Sequence, residues 1–120
     1  MNTKIVGDCG EHKAVEYLKQ KGYEILSNNW RTRDGEIDII AYIKETVVFA
    51  EVKTLPNCTS DMLEKVLNAQ KQSRIVKTSK RFLLNHRQYS NSYVRYDVIL
   101  LDAPGFPDVY HIENAFTERI

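Results

Sequence analysis

A mixed α/β fold, one sheet flanked by helices, is predicted by three features of this 120-residue chain. A helical stretch ending in glycine opens it. Three strand-like segments joined by very short connections follow, and a long basic helical stretch separates them from two more strands. The order α-β-β-β-α-β-β suits a mixed sheet with helices packed on it. At this length a single domain over residues 1–120 is expected, with one core. No internal repeat, linker or low-complexity run divides it.

The first helix is expected over residues 3–21, where Gly22 stands at the position that ends helices. Gly7, Glu11, Ala14 and Leu18 fall on one stripe, and its small residues would let the helix approach a sheet closely. Glu11 then lies within the packed face, an odd place for a carboxylate. Strands are expected over residues 23–27, 36–43 and 46–54, with Arg33-Asp34-Gly35 and Lys44-Glu45 as connections short enough for antiparallel neighbours. The loop 56–60 breaks the pattern, and Asp61 with Glu64 resembles a capping box for a helical segment over 61–87. Its apolar side is Met62, Val66, Ala69, Val76 and Leu83, and its length calls for a kink or two helices. Residues 88–92 read as a polar loop, 93–101 as a strand, Pro104-Gly105-Phe106-Pro107 as a turn and 109–112 as a last short strand.

Composition excludes several classes. With 42% hydrophobic and 28% charged residues the chain reads as an ordinary globular protein. Cys9 and Cys58 follow no Cys-x-x-Cys spacing, so neither a zinc site nor a disulfide framework is expected, and a reducing cytoplasm is favoured. No signal-peptide core or membrane-spanning stretch is present, so no membrane partner is expected. Net charge is +1. The cations cluster between Asp61 and Arg87 and the acids gather after Asp97, which is compatible with phosphate-backbone binding and equally with a solvated lysine-rich helix face.

Chemistry concentrates in Gly35-Glu36-Ile37-Asp38-Ile39-Ile40 and Phe49-Ala50-Glu51-Val52-Lys53. Both runs read as buried strands that carry charge. Alternation puts Glu51 and Lys53 on one face, and Glu36 with Asp38 on the face opposite Ile37 and Ile39. A buried unpaired carboxylate costs several kcal/mol, and one lysine cannot neutralise three acids. A divalent cation would, and Mg²⁺ or Mn²⁺ takes one or two carboxylates while water and substrate phosphate complete its octahedron. Lys53 beside them is placed to orient the attacking water and stabilise phosphate charge. The same three residues also fit a structural ion pair. Glu36 is either a further ligand or a strand-edge residue, and its place directly after Gly35 favours the edge. Glu11 either orients water or the lysine, or forms a salt bridge to Lys53 or Arg31. Lys71 and Arg74, one turn apart, fit a phosphate contact or a solvated helix face. His12, His86 and His111 have no ligand spacing, and Trp30 and the tyrosines suit strand packing better than base stacking.

Beyond these, Gly7-x-x-Gly10-Glu11, Asn29-Trp30-Arg31, Lys71-Gln72-x-Arg74, Val94-Arg95-Tyr96-Asp97 and His111-Ile112-Glu113-Asn114 occur in order with the two charged strands. In these motifs, nearly end to end, the chain resembles the YraN-type family of uncharacterised bacterial proteins. That family is placed in the restriction-endonuclease-like PD-(D/E)xK superfamily and is similar to archaeal-type Holliday-junction resolvases. The resemblance implies an αβββαβ core with Asp38, Glu51 and the main-chain carbonyl of Val52 as ligands to Mg or Mn. It implies Lys53 as the catalytic lysine and Glu11 as the first-helix glutamate that completes such sites. Leu55 stands where the family usually has an arginine, and 57–60 lack its usual loop glycine, so substrate affinity is affected more than the chemistry.

The expected function is metal-dependent hydrolysis of DNA phosphodiesters, with branched or damaged DNA as the substrate that analogy supplies. Arg31, Lys71 and Arg74 would hold the backbone without reading sequence. A homodimer is the expectation that junction-cutting relatives carry, because two strands must be cut symmetrically. The alternatives are a non-catalytic nucleic-acid-binding module, and an interaction protein in which the charges form only a structural network.

Overall fold

A computed structural model describes residues 3–54 and 68–118, with side chains from Gly10 onward. The expected loop 56–60, the Asp61/Glu64 capping box and the expected start of the long helix, with Met62 and Val66, lie outside the described residues, as do Leu55, Cys58, the surroundings of Gly7 and the side chain of Cys9. The elements are α1 (Thr3–Gln20), β1 (Glu24–Thr32), β2 (Gly35–Ile43), β3 (Thr46–Thr54), α2 (Ala69–Asn85), a 3-10 turn (Arg87–Tyr89), β4 (Tyr93–Leu101) and β5 (Val109–Phe116). They form a five-stranded mixed sheet in the order β1-β2-β3-β4-β5, in which β3 and β4 run parallel and every other neighbouring pair is antiparallel. This mixed α/β arrangement, with two helices among the described residues, is compatible with a restriction-endonuclease-like core.

The sheet is covered on both faces. Ala14, Val15 and Leu18 of α1 pack with Ile39, Ala41, Val48, Ala50, Ile99 and Leu101 on one side. Ile75 and Phe82 of α2 pack with Ile37, Ile40, Val47, Phe49 and Tyr96 on the other. A Cβ added to Gly10 would stand 2.9 Å from the Thr54 hydroxyl oxygen, so α1 approaches the end of β3 as closely as its small residues permit. Gly22 ends α1 at φ 92°: its N–H donates to the Lys19 carbonyl and the Tyr23 N–H to that of Leu18, the paired bonds of a Schellman cap. Lys44 and Glu45, both at positive φ, make the two-residue turn whose twist matches a β2–β3 hairpin. At the other hairpin, Asp34 is held from α2 by Arg81 at 2.6 Å and by Lys77, which ties the β1–β2 turn to that helix.

Three expectations are corrected. The first and last strands run longer than 23–27 and 109–112, because Asn29 and Asn114, each at φ 53°, let β1 and β5 continue through polar residues. Asparagine tolerates the left-handed region better than other residues with a side chain. The polar loop 88–92 is partly ordered as the Arg87–Tyr89 turn. Finally, Ile37 and Ile39 do not share a face: Ile37 joins the α2 side and Ile39 the α1 side. The strand changes face at Asp38, and the reason defines the site.

Candidate active site

β2 and β3 pair regularly from Ile43/Thr46 to Ile39/Ala50, and the ladder stops there. The next partners would be Asp38 and Glu51. In place of a backbone pairing, the Val52 N–H donates to Asp38 Oδ2 at 2.8 Å, so a side chain takes over a main-chain position. β3 continues beside β4 as far as Thr54, while β2 turns away through Ile37 towards α2. The fork opens a cleft of about 400 Å³ lined by Gly35, Glu36, Asp38, Glu51, Lys53, Lys71, Arg74 and Ile75. Five of the expected site residues, Asp38, Glu51, Lys53, Lys71 and Arg74, thus meet in one place, drawn from two strands and a helix.

Electrostatics in the cleft are strained on one side and balanced on the other. Burial, then repulsion from Glu51, pushes the Asp38 carboxyl up to about 7, against the stabilising Val52 N–H. Glu51, buried itself, is compensated: Lys71 Nζ lies 2.8 Å and Lys53 Nζ 3.5 Å from its Oε1. Burial alone would lower the Lys53 ammonium. The negative charges of Glu51 and Asp38 outweigh burial and hold it above the ordinary lysine value. Lys53 is therefore a cation at neutral pH, suited to steadying negative charge and unsuited to taking a proton. The expectation that one lysine leaves the acids short of positive charge is corrected here. Lys71, placed by sequence on a phosphate-binding face, supplies the second charge.

The hard oxygen donors of Asp38 and Glu51 fit Mg²⁺ or Mn²⁺, which needs only one or two protein carboxylates, and their mutual repulsion is what such a cation relieves. Among the described residues no three Asp, Glu, His or Cys side chains gather as a metal-binding group. Glu11 stands at the back, where its carboxylate accepts a 2.6 Å bond from Asn29 Nδ2 and its charge adds to the upward push on Asp38. Asn29, at φ 53°, lies between the β1–β2 partners Asn28/Ile39 and Trp30/Ile37, opposite Asp38. Val52 sits between Glu51 and Lys53 with its N–H on Asp38. Glu36 lines the rim, exposed as the strand-edge reading expects, and pairs loosely with the exposed Arg31 at 3.4 Å. A second groove of about 270 Å³ along α2 carries the Lys80–Glu118 ion pair and no convergent acids.

Sequence reasoning missed one charged centre. Asp97, fully buried on β4, accepts from Arg95 at 2.8 and 2.9 Å, from the Asn114 N–H at 3.0 Å, and shares a 2.6 Å bond with His111 Nε2. Burial works to raise its pKa, and the bonds from His111, Arg95 and Asn114 overcome that and hold it below the usual carboxylate range. Tyr17 of α1 meets His111 Nδ1 and Tyr23 accepts from Arg95, so the network clasps α1, β4 and β5 together. Its signal was present in Arg95-Tyr96-Asp97 and His111-Ile112-Glu113-Asn114, where alternation sends Arg95 and Asp97 to one face.

The described fold and fork can be set beside known proteins. The model of an uncharacterised protein family, UPF0102, matches residues 10–101, a span that holds the glycine of the α1 contact, the fork and β4. The chain belongs to the UPF0102 (YraN) family. A UPF0102 protein of Treponema denticola is 43% identical over 122 residues, covering 92% of this chain and 94% of its own. That of Treponema pallidum (strain Nichols) is 41% identical over 124 residues and covers 99% and 98%. That of Alkaliphilus oremlandii is 44% identical over 120 residues and covers 97% and 100%. The UPF0102 assignment bears out the resemblance in the motifs. No helix among the described residues is long and apolar enough to cross a membrane.

Proposed function

We propose that this UPF0102 protein is a divalent-metal-dependent nuclease of PD-(D/E)xK type that hydrolyses DNA phosphodiester bonds. The observation that carries the reading is the fork. It brings Asp38, Glu51 and Lys53 into one open cleft, with Lys71 and Arg74 on the wall where a phosphate backbone would lie. Asp38 and Glu51, with the Val52 carbonyl, would hold Mg²⁺ or Mn²⁺, which when bound supplies water activation and charge stabilisation at the phosphate.

The chain's own groups do the rest. Lys53, kept charged by its surroundings, orients the attacking water and offsets charge on the non-bridging oxygens as the bridging P–O bond breaks. Glu11 fixes Asn29 and biases Asp38 from behind. Arg74 and Arg31 grip the sugar-phosphate backbone, which positions DNA without selecting its sequence. Branched or damaged DNA and a two-fold dimer remain part of this proposal by analogy with resolvases.

One observation favours a second reading. Glu51 already has two ammonium partners, so the cluster is close to self-neutralised, as in a nucleic-acid-binding module without catalysis. Incubating single-stranded, duplex and four-way-junction DNA with Mg²⁺ or Mn²⁺, beside Glu51→Gln, separates the two. Cleavage of at least one substrate that Glu51→Gln abolishes is expected. Salt-sensitive binding with no cleavage would replace the nuclease by the module.

A further inference from the structure

Lys71 is the third residue of α2, and its backbone is fixed: its N–H donates to the Asn68 side chain, the N-cap, at 2.8 Å. From that anchor its ammonium reaches into the cleft and meets Glu51 Oε1 at 2.8 Å, the closest charge contact Glu51 makes among the described residues. Lys53 shares that oxygen from a longer 3.5 Å. A cation bound by Glu51 would need its ligand oxygen at about 2.1 Å and would face the Lys71 charge on the same carboxylate. Lysine is a flexible point charge, and the Lys71 side chain keeps 28% of its surface exposed, so it has somewhere to go. Arg74, one turn further along α2, lines the same cleft.

We infer that Lys71 is a resident counter-ion that competes with the divalent cation for Glu51, and that swings to the phosphate side of the cleft when the cation binds. The inference rests on the metal-dependent reading proposed above and adds a control to it. Metal enters weakly while Lys71 holds Glu51. A phosphate backbone offering Lys71 another partner favours entry, so metal and substrate bind cooperatively. Lys71 is in this sense a positioning residue, acting through Glu51, and its loss is felt first in metal affinity.

The test is Mn²⁺ affinity, measured by electron paramagnetic resonance of free Mn²⁺ in the absence of DNA, so that turnover plays no part. Lys71→Gln should bind Mn²⁺ about tenfold more tightly than the parent, and Lys71→Met, with similar reach and no charge, should do the same. Arg74→Gln removes one positive charge from the same cleft without touching Glu51 and should change affinity less than about threefold. Two substitutions at Lys71 guard against one failing to fold. Equal effects at Lys71 and Arg74, or no gain at Lys71, would overturn the counter-ion role while Glu51-dependent binding by the parent left the metal site standing. Absence of Glu51-dependent Mn²⁺ binding in the parent and the Lys71 variants alike would remove the metal site, and the counter-ion role with it.

Discussion

Asp38 is the residue on which the local structure turns. Its carboxylate completes a strand ladder that the backbone abandons, yet it stands half-buried beside another acid, and its pKa rises to about 7. The folded state therefore keeps a proton that the unfolded chain gives up near pH 4, so stability falls as pH rises from about 4 to about 7 and stays penalised above that. Asparagine in its place can still accept the Val52 N–H. Without divalent metal, Asp38→Asn should match the parent near pH 4 and exceed it by about 2 kcal/mol at pH 8, read from urea unfolding at the two pH values. An asparagine variant weaker than the parent at pH 8 would mean that the acid is compensated, as a purely structural network requires. Lys53 carries the opposite lesson. Its charge is held by its neighbours, which fixes its part as an electrostatic one.

At the scale of elements, the sheet is assembled by hairpins and locked by buried charge. Asp97 joins β4 to the bulged β5, and through His111 and Tyr17 to α1. Asp97→Ala would remove the carboxylate that Arg95, His111 and the Asn114 N–H share, leaving Arg95 with Tyr23 and, at 3.8 Å, Glu113, and should cost about 3–5 kcal/mol of unfolding free energy in a denaturant titration. Because the Asp97 pKa is depressed, that contribution is present above pH 4 and is lost as pH falls through the folded value. A cost below 1 kcal/mol would show that the clasp is not what holds β5. The same elements explain what could be read in advance. β3 and β4 were legible to their ends, since alternating Val, Ile and Phe between turn residues leave little choice. The ends of β1 and β5 were not, because Asn29 and Asn114 look like loop residues yet continue their strands at positive φ, and their polar groups serve Glu11 and Asp97. α2 begins at Ala69 after the extended N-cap Asn68, and the helical stretch expected from 61 to 67 lies outside the described residues.

Across the whole molecule, the charged residues of the strands read correctly as a cluster, because period-two alternation places Glu51 and Lys53 together whatever the tertiary fold. What a one-dimensional pattern could not supply was the fork. The cleft beside Asp38 and Glu51 opens only because β2 leaves β3, and Lys71 reaches Glu51 from α2, which packs on the sheet. The result is a site whose positive and negative groups come from three elements and face an open wall. Membership of UPF0102 leaves the chemistry to be shown by the site itself.

In the proposed nuclease, Lys53 acts on the reacting phosphate and does more than hold Glu51. Single-turnover cleavage of the preferred DNA by the parent and by Lys53→Ala, at matched DNA occupancy and saturating Mn²⁺, tests it most directly. A rate at least about a hundredfold lower is expected for Lys53→Ala, with DNA affinity changed by less than about threefold. Cleavage at the parent's rate, or a loss explained wholly by weaker binding, would contradict it.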